Sequence, residues 1–220
     1  MKLKEKLSCQ AEYLKYSLRH KVKKLQIGCG DNIIDGFFNT DINIKQGVSY
    51  LDATEPMPFK SNTFHYIFSE HNFEHLTYQE GKLLLNEAYR ILKDDGVIRL
   101  TMPCLEFLMD IYNNPDKKEN LEYMKWHFQQ FALEQLNDFG ENYSTAFLIN
   151  NFMRFWGHKC LYDKDTIKRM LMNAGFTDIT FCNVSESSHE HLNNIEKHQE
   201  MIPAQFNLME TMCVEATKKN

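Results

Sequence analysis

Residues 25–54 read LQIGCGDNIIDGFFNTDINIKQGVSYLDAT, and their reading decides the fold. A short apolar run, Leu25-Gln26-Ile27, stops at Gly28-Cys29-Gly30. A second run ends at Thr40-Asp41-Ile42, and a third, Val48-Ser49-Tyr50-Leu51, ends at Asp52-Ala53. Strand, glycine turn, strand tipped by a carboxylate, strand tipped by another polar residue: an open parallel sheet builds a nucleotide crevice at its carboxyl edge in this way. Glycines let the backbone turn sharply and approach a ligand where any side chain would intervene. A carboxylate at the next strand's tip can accept both hydroxyls of a ribose. Asp41 and Asp52 also have an ordinary reading as strand-end turn residues.

Beyond this stretch, Pro56-Met57-Pro58-Phe59 is a stiff loop, 61–63 a turn and 64–69 a fourth strand. Thr77 can cap a helix whose apolar face is Leu83, Leu84, Ala88 and Ile91. Lys93-Asp94-Asp95-Gly96 reads as a tight turn into a fifth strand, 97–102, which Pro103 halts. Residues 105–112 are helical in pattern. Asp163 or Asp165 caps a helix over 166–174 that Gly175 closes. Strands follow at 176–184 and 211–216. The polar stretch 185–199, with His189, His191 and His198, is expected to be a solvated surface, helical near its end.

Two segments interrupt the rhythm. Leu3, Leu7, Ala11, Leu14 and Leu18 recur at helical spacing, so residues 1–22 form an amphipathic helix whose other face carries Lys2, Lys4, Lys6, Lys15 and Arg19. It lies over the domain or packs in a dimer, or it touches a membrane surface or anionic polymer. Residues 113–157 are helical and rich in aromatics, among them Trp126, Phe128, Phe131, Phe139, Phe152 and Trp156. They read as plain core or as a lid over the crevice.

At 220 residues the chain suits one α/β domain, 1–220, with a full core. Residues 1–24 hold eight Lys/Arg against Glu5 and Glu12, about +6, so the remainder carries about −11 to reach the net −5. An acidic body disfavours a nucleic-acid partner. No apolar run could cross a bilayer, and the N-terminus lacks a signal peptide's apolar core. Six cysteines without a C-x-x-C pair read as reduced thiols, which points to the cytoplasm.

Together these motifs resemble the class I S-adenosylmethionine-dependent methyltransferases over nearly the whole chain. IGCG is similar to the first motif of that class, TDI to the second, and LDAT with PMPF to the third. FSEHNFEHL is similar to the fourth strand and its helix, and RILKDDGVIRL to the R-x-L-K-P-G-G turn. Within the class the chain looks most like the type-11-like enzymes associated with bacterial surface-polysaccharide gene clusters. The resemblance implies a Rossmann-like three-layer sandwich with a mostly parallel seven-stranded sheet and an antiparallel last strand. It implies S-adenosylmethionine as cofactor. Gly28, Cys29 and Gly30 would wrap its methionine part, and Asp41 would hold the ribose, with Ile42 beside the adenine. Asp52 and Ala53 would meet the adenine edge, and Ser69 and Glu70 would lie under the sulfonium. Ten residues lie between Gly30 and Asp41, too few for the usual crossover helix. That suits a cofactor without a pyrophosphate better than a dinucleotide.

Methyl transfer to a hydroxyl needs donor and acceptor held in line and a base for the proton. His71, just past the fourth strand, and His158, after the aromatic insertion, are the candidate catalytic residues. No metal is expected. If one were used, His71, Glu74 and His75 would hold it, because i, i+3 and i+4 share a helix face. That string is similar to the E-x-x-E-H run of metal-assisted O-methyltransferases, although Glu74 and His75 also read as helix-capping residues. The expected function is O-methylation of a small molecule or glycan sugar by a monomer or homodimer. RNA methylation and a non-catalytic cofactor-binding domain are the alternatives.

Overall fold

The computed structural model describes residues 3–131 and 143–219; Lys2 and Phe139 lie outside them. Seven strands form one sheet: β1 (Lys24–Ile27), β2 (Phe38–Asp41), β3 (Ser49–Tyr50), β4 (Phe64–Glu70), β5 (Leu92–Pro103), β6 (Thr177–Cys182) and β7 (Thr211–Thr217). Their order is β3-β2-β1-β4-β5-β7-β6. Strands β1 to β5 pair in parallel, with Leu25 opposite Phe38 on one side and Ile67 on the other. β7 runs antiparallel to both β5 and β6. The chain leaves β1 toward one edge and returns at β4 toward the other, so the connections diverge above the carboxyl ends of these two strands and leave a crevice there.

The helices are α1 (Leu3–Arg19), α2 (Tyr78–Ile91), α3 (Leu105–Asn113), α4 (Lys118–Gln130), α5 (Thr145–Arg154), α6 (Lys164–Ala174) and α7 (Ala204–Glu210). Thr77 and Glu80 form a reciprocal capping box at the start of α2. Asp163, not Asp165, caps α6 by accepting from the Thr166 N–H at 2.7 Å, and Gly175 ends it at φ +104°. Leu84, Leu85, Ala88 and Ile91 bury the inner face of α2, so Leu85 takes the place expected of Leu83. Residues 93–96 form an irregularity within β5 and not a separate turn: Leu92 pairs with Phe64 and Val97 with Tyr66, so the extra residues bulge out. Sequence pattern missed α7, whose seven residues begin after Pro203.

The expected packing face of α1 is corrected. Leu7, Leu14 and Leu18 are 58, 60 and 81% exposed, and the helix docks through Cys9, Tyr13 and Tyr16 instead. Tyr13 meets Phe38, Phe59 and Phe64 edge-on. The Tyr16 hydroxyl accepts from the Lys24 N–H at 2.8 Å and lies 3.0 Å from the Gly36 carbonyl. Two rings with a hydroxyl anchor bury more surface and place more hydrogen bonds than a row of leucines.

Neighbouring residues on a strand face opposite sides of a sheet, so Ile67 joins the main core while Phe68 joins a second cluster with Phe37, Val97 and Leu192. That second face lacks a helix from the short first crossover. It is covered by residues 183–202, which contain the 3-10 turns Glu190–Leu192 and His198–Glu200. His189 and His191 pack against Tyr66 there at steep ring angles, 60° and 64°. The stretch expected to be solvated surface is part of the packing. Arg99, fully buried, secures it through Glu196 at 2.5 Å, Glu215 at 2.6 Å and the Glu186 carbonyl at 3.0 Å.

Candidate active site

The crevice is built from three strand tips. Gly28 (φ +65°) and Gly30 (φ +49°) turn the chain after β1 in the left-handed region, which glycine enters without strain. A side chain on Gly28 would strike Asn72, whereas Gly30 opens onto free space. The Gly30 N–H donates to Asp41 Oδ2 at 3.0 Å, and the Asn43 N–H donates to Oδ1 at 2.8 Å. Glycine turn and strand-tip carboxylate are thus held together. Beside Asp41, Ile42 and Ile44 are 61 and 68% exposed, an apolar surface at the crevice mouth. Asp52 Oδ1 accepts from both the amide and hydroxyl of Thr54, and Ala53 is buried next to it. Cys29 is buried, and burial first, then Asp41, pushes its thiol up to about 11.

At the tip of β4, Ser69 is buried and donates to the Ile27 carbonyl at 2.9 Å, tying β4 to β1 under the glycine turn. Glu70 accepts from Asn32 at 2.8 Å, from the Lys197 N–H at 2.9 Å and from the His198 N–H at 2.9 Å. Its carboxylate therefore closes the first crossover onto the 183–202 cover. Open space over Gly30, a carboxylate at Asp41 and an exposed apolar side chain at Ile42 are compatible with S-adenosylmethionine.

Past β4 the chain bends at His71 (φ +43°) into a 3-10 turn, Phe73–His75. A cavity of about 410 Å³ lies on this side, lined by His71, Glu74, His75, His158, His198 and Glu210 and walled by aromatics from α4, α5 and the following turn. Those walls are Trp126, Phe131, Phe152 and Trp156. His71 Nδ1 stands 3.2 Å from Glu74 Oε1, its Nε2 is 3.3 Å from Thr211 Oγ1, and its ring stacks on His198 at 3.8 Å. Burial disfavours the charged imidazole, but Glu74, Glu210 and Glu70 outweigh it, and the pKa of His71 lies above the ordinary value. Burial likewise opposes ionisation of Glu74, and His71 reverses it, so that carboxyl lies below its usual range.

His158 is different. Its Nδ1 lies 2.6 Å from the Phe152 carbonyl, an acceptor only, so Nδ1 carries the proton and Nε2 keeps a free lone pair. Burial lowers its pKa below the ordinary value against the pull of Glu74. The Lys159 and Cys160 N–H groups both donate to the Glu74 carbonyl, at 2.8 and 3.2 Å, which fixes His158 beside the 3-10 turn. Deeper, Tyr123 hydrogen-bonds Glu210, which His198 Nε2 approaches at 3.2 Å. His127 Nε2 lies 2.9 Å from Asn151 Oδ1. Among these, His127, His198 and Glu210, with Tyr123 behind Glu210, were not expected at the site; only tertiary contacts bring them together.

Residues 37–100, from β2 through most of β5, match a family model described as a methyltransferase domain. A comparison with curated protein sequences finds no match. Among solved structures, an S-adenosylmethionine-dependent methyltransferase from Archaeoglobus fulgidus is 18% identical with a TM-score of 0.50, covering 97% of this chain and 94% of its own. A possible histamine N-methyltransferase from Thermotoga maritima is also 18% identical with a TM-score of 0.50, covering 97% and 89%. At such identity the likeness concerns the fold, which is that of the S-adenosylmethionine-dependent methyltransferases.

Proposed function

We propose that this chain, a class I S-adenosylmethionine-dependent methyltransferase, methylates a hydroxyl of a small molecule or a single sugar unit. The observation that carries the reading is the cavity beside the β4 tip. Its volume sits at the small end of ligand pockets, its walls are aromatic, and His158 offers it a neutral imidazole nitrogen. Flat aromatic faces suit the C–H faces of a sugar ring. Bound S-adenosylmethionine supplies a methyl carbon on a cationic sulfur. A hydroxyl seated in the cavity would attack that carbon with the sulfur as leaving group, and His158 Nε2 would take the hydroxyl proton. His71, with Nδ1 3.2 Å from Glu74, Nε2 near Thr211 and its ring stacked on His198, forms part of the cavity floor. Side chains of α4 and α5 and their flanking residues, Trp126, Phe131, Phe152 and Trp156, would wall the acceptor.

Calorimetry with S-adenosylmethionine, followed by product assay over hydroxylated acceptors, tests this. Asp41→Ala should abolish cofactor binding. His158→Gln should keep it and lower turnover about 100-fold or more. Turnover on amines alone, or full activity of His158→Gln, would overturn the hydroxyl reading.

The exposed leucines of α1 suit an anionic bilayer surface. Lys4, Lys15 and Arg19, all exposed, border the stripe by helical period. A second copy docked there would set these cations against one another. Among the described residues no helix is long and apolar enough to cross a membrane. Co-sedimentation with phosphatidylglycerol-containing vesicles, absent with phosphatidylcholine alone, is the expected result; equal binding to both or to neither would refute it.

A further inference from the structure

Glu74 has a buried carboxylate that lies beside the His71 imidazole but makes no aligned hydrogen bond. The residue is 1% exposed, and neither side-chain oxygen has one among the described residues. The nearby His71 imidazole, at 3.2 Å, supplies charge to Oε1 without an aligned hydrogen bond. A buried carboxylate left this way is costly unless something else satisfies it. Across the cavity edge, His75 and His158 face each other with ring centroids 5.0 Å apart at 73°. Each of Glu74, His75 and His158 offers one ligand atom, and the three lie within 4.8 Å of one another.

We infer that Glu74, His75 and His158 form a binding site for a first-row divalent transition ion, of the manganese or zinc kind. Two imidazoles with one carboxylate favour such ions over magnesium or calcium, which prefer all-oxygen sites. His158 is already arranged as a ligand: Nδ1 is engaged by the Phe152 carbonyl, the outer-shell contact that orients metal-bound histidines and leaves Nε2 for the ion. The backbone bonds from Lys159 and Cys160 to Glu74 hold ligands from distant parts of the sequence in register. Small side-chain rotations would bring the donors to about 2.0–2.2 Å from one ion. The set differs from that expected from sequence, because His158 takes the place of His71, which is occupied by Thr211 and His198.

The site opens into the acceptor cavity, so the ion's role rests on the hydroxyl reading above. A hydroxyl coordinated there would lose its proton to water more easily, because the cation lowers its pKa. His158 would then act as ligand and not as base.

Binding is measured on metal-depleted full-length protein with Mn²⁺ alone, by calorimetry and by the loss of free-ion paramagnetic resonance signal. One ion per chain is expected. Glu74→Gln and His75→Ala should each weaken binding at least ten-fold while S-adenosylmethionine still binds, which also reports that the variants are folded. If Glu74→Gln fails to fold, the half-buried His75 carries the test. No Mn²⁺ or Zn²⁺ binding up to millimolar concentration, or binding unchanged in His75→Ala, would overturn the site. A metal-free enzyme that methylates hydroxyls in the presence of chelator would end the inference and leave the proposed function standing.

Discussion

Arg99→Met should destabilise the protein severely and through a cause that pH can expose. The guanidinium is fully buried and pairs with Glu196 at 2.5 Å and Glu215 at 2.6 Å, whose side chains are 1 and 9% exposed. It also donates to the carbonyls of Glu186 and Asn183, at 3.0 and 3.3 Å. Removing one partner of a buried ion pair costs about 3–5 kcal/mol, because the other charge stays buried and uncompensated. Methionine fills most of the volume, so the cavity contribution is small. Against a total stability of about 5–15 kcal/mol this is a large fraction. With a urea slope of about 3 kcal/mol/M for a chain of this size, the unfolding midpoint should fall by roughly 1–1.7 M. Burial already pushes the Glu196 carboxyl above its ordinary value, against the pull of Arg99. A carboxyl whose folded pKa is raised gives its full stability below the unfolded value and loses it as pH rises through the folded one. Without Arg99 that folded value rises further, so the defect should be larger at pH 8 than at pH 5. Glu196→Gln in the Arg99→Met background should recover part of the loss, a coupling that a double-mutant cycle isolates. A loss below about 1 kcal/mol, a defect independent of pH, or strictly additive double-mutant effects would refute the reasoning.

Three further outcomes follow from named contacts. Methyl transfer should lose rate only below about pH 6.5, since the required form of His158 is neutral and burial lowers its pKa; a half-maximal rate above pH 7 in a pH–rate profile would contradict this. Replacing Leu7, Leu14 and Leu18 together by serine should change stability by no more than about 0.5 kcal/mol per site while removing vesicle binding; a large drop in melting temperature would mean that this face is packed after all. Tyr16→Phe, which leaves the Lys24 N–H without its partner, should cost about 1–3 kcal/mol in urea titration.

What could be read from sequence was local. The glycine turn, the strand-tip carboxylates Asp41 and Asp52, the Thr77 cap and Gly175 each depend on a few neighbouring residues, and the structure places all of them at turns or element ends. The α1 leucines show the limit of periodicity. A 3.6-residue pattern separates two faces of a helix but does not say which is covered, and Tyr13, packed edge-on against three phenylalanines, with Tyr16, hydrogen-bonded to β1 and the first crossover, outweighed the leucines. The string from His71 to His75 was visible as a motif. Its partner His158 lies 83 residues further on, a spacing that only the folded chain defines.

The short first crossover explains why the acceptor side was hardest to read. Ten residues between Gly30 and Asp41 leave one face of the sheet without a helix, and Phe37, Phe68 and Val97 would stand exposed there. The chain answers from its far end. Leu192 covers those side chains, Ile195 accepts from Asn32, and Glu196 locks onto Arg99. The next residues, Lys197 and His198, bind Glu70 through their amides, and the His198 ring then stacks on His71. The segment that completes the core therefore also sets one wall of the cavity. Loosening Arg99 should disturb His71 and His198 together, so the variant's loss of turnover should exceed its fraction unfolded at the assay temperature. A cofactor-binding constant and turnover that fall only in proportion to unfolding would separate the two roles of this segment.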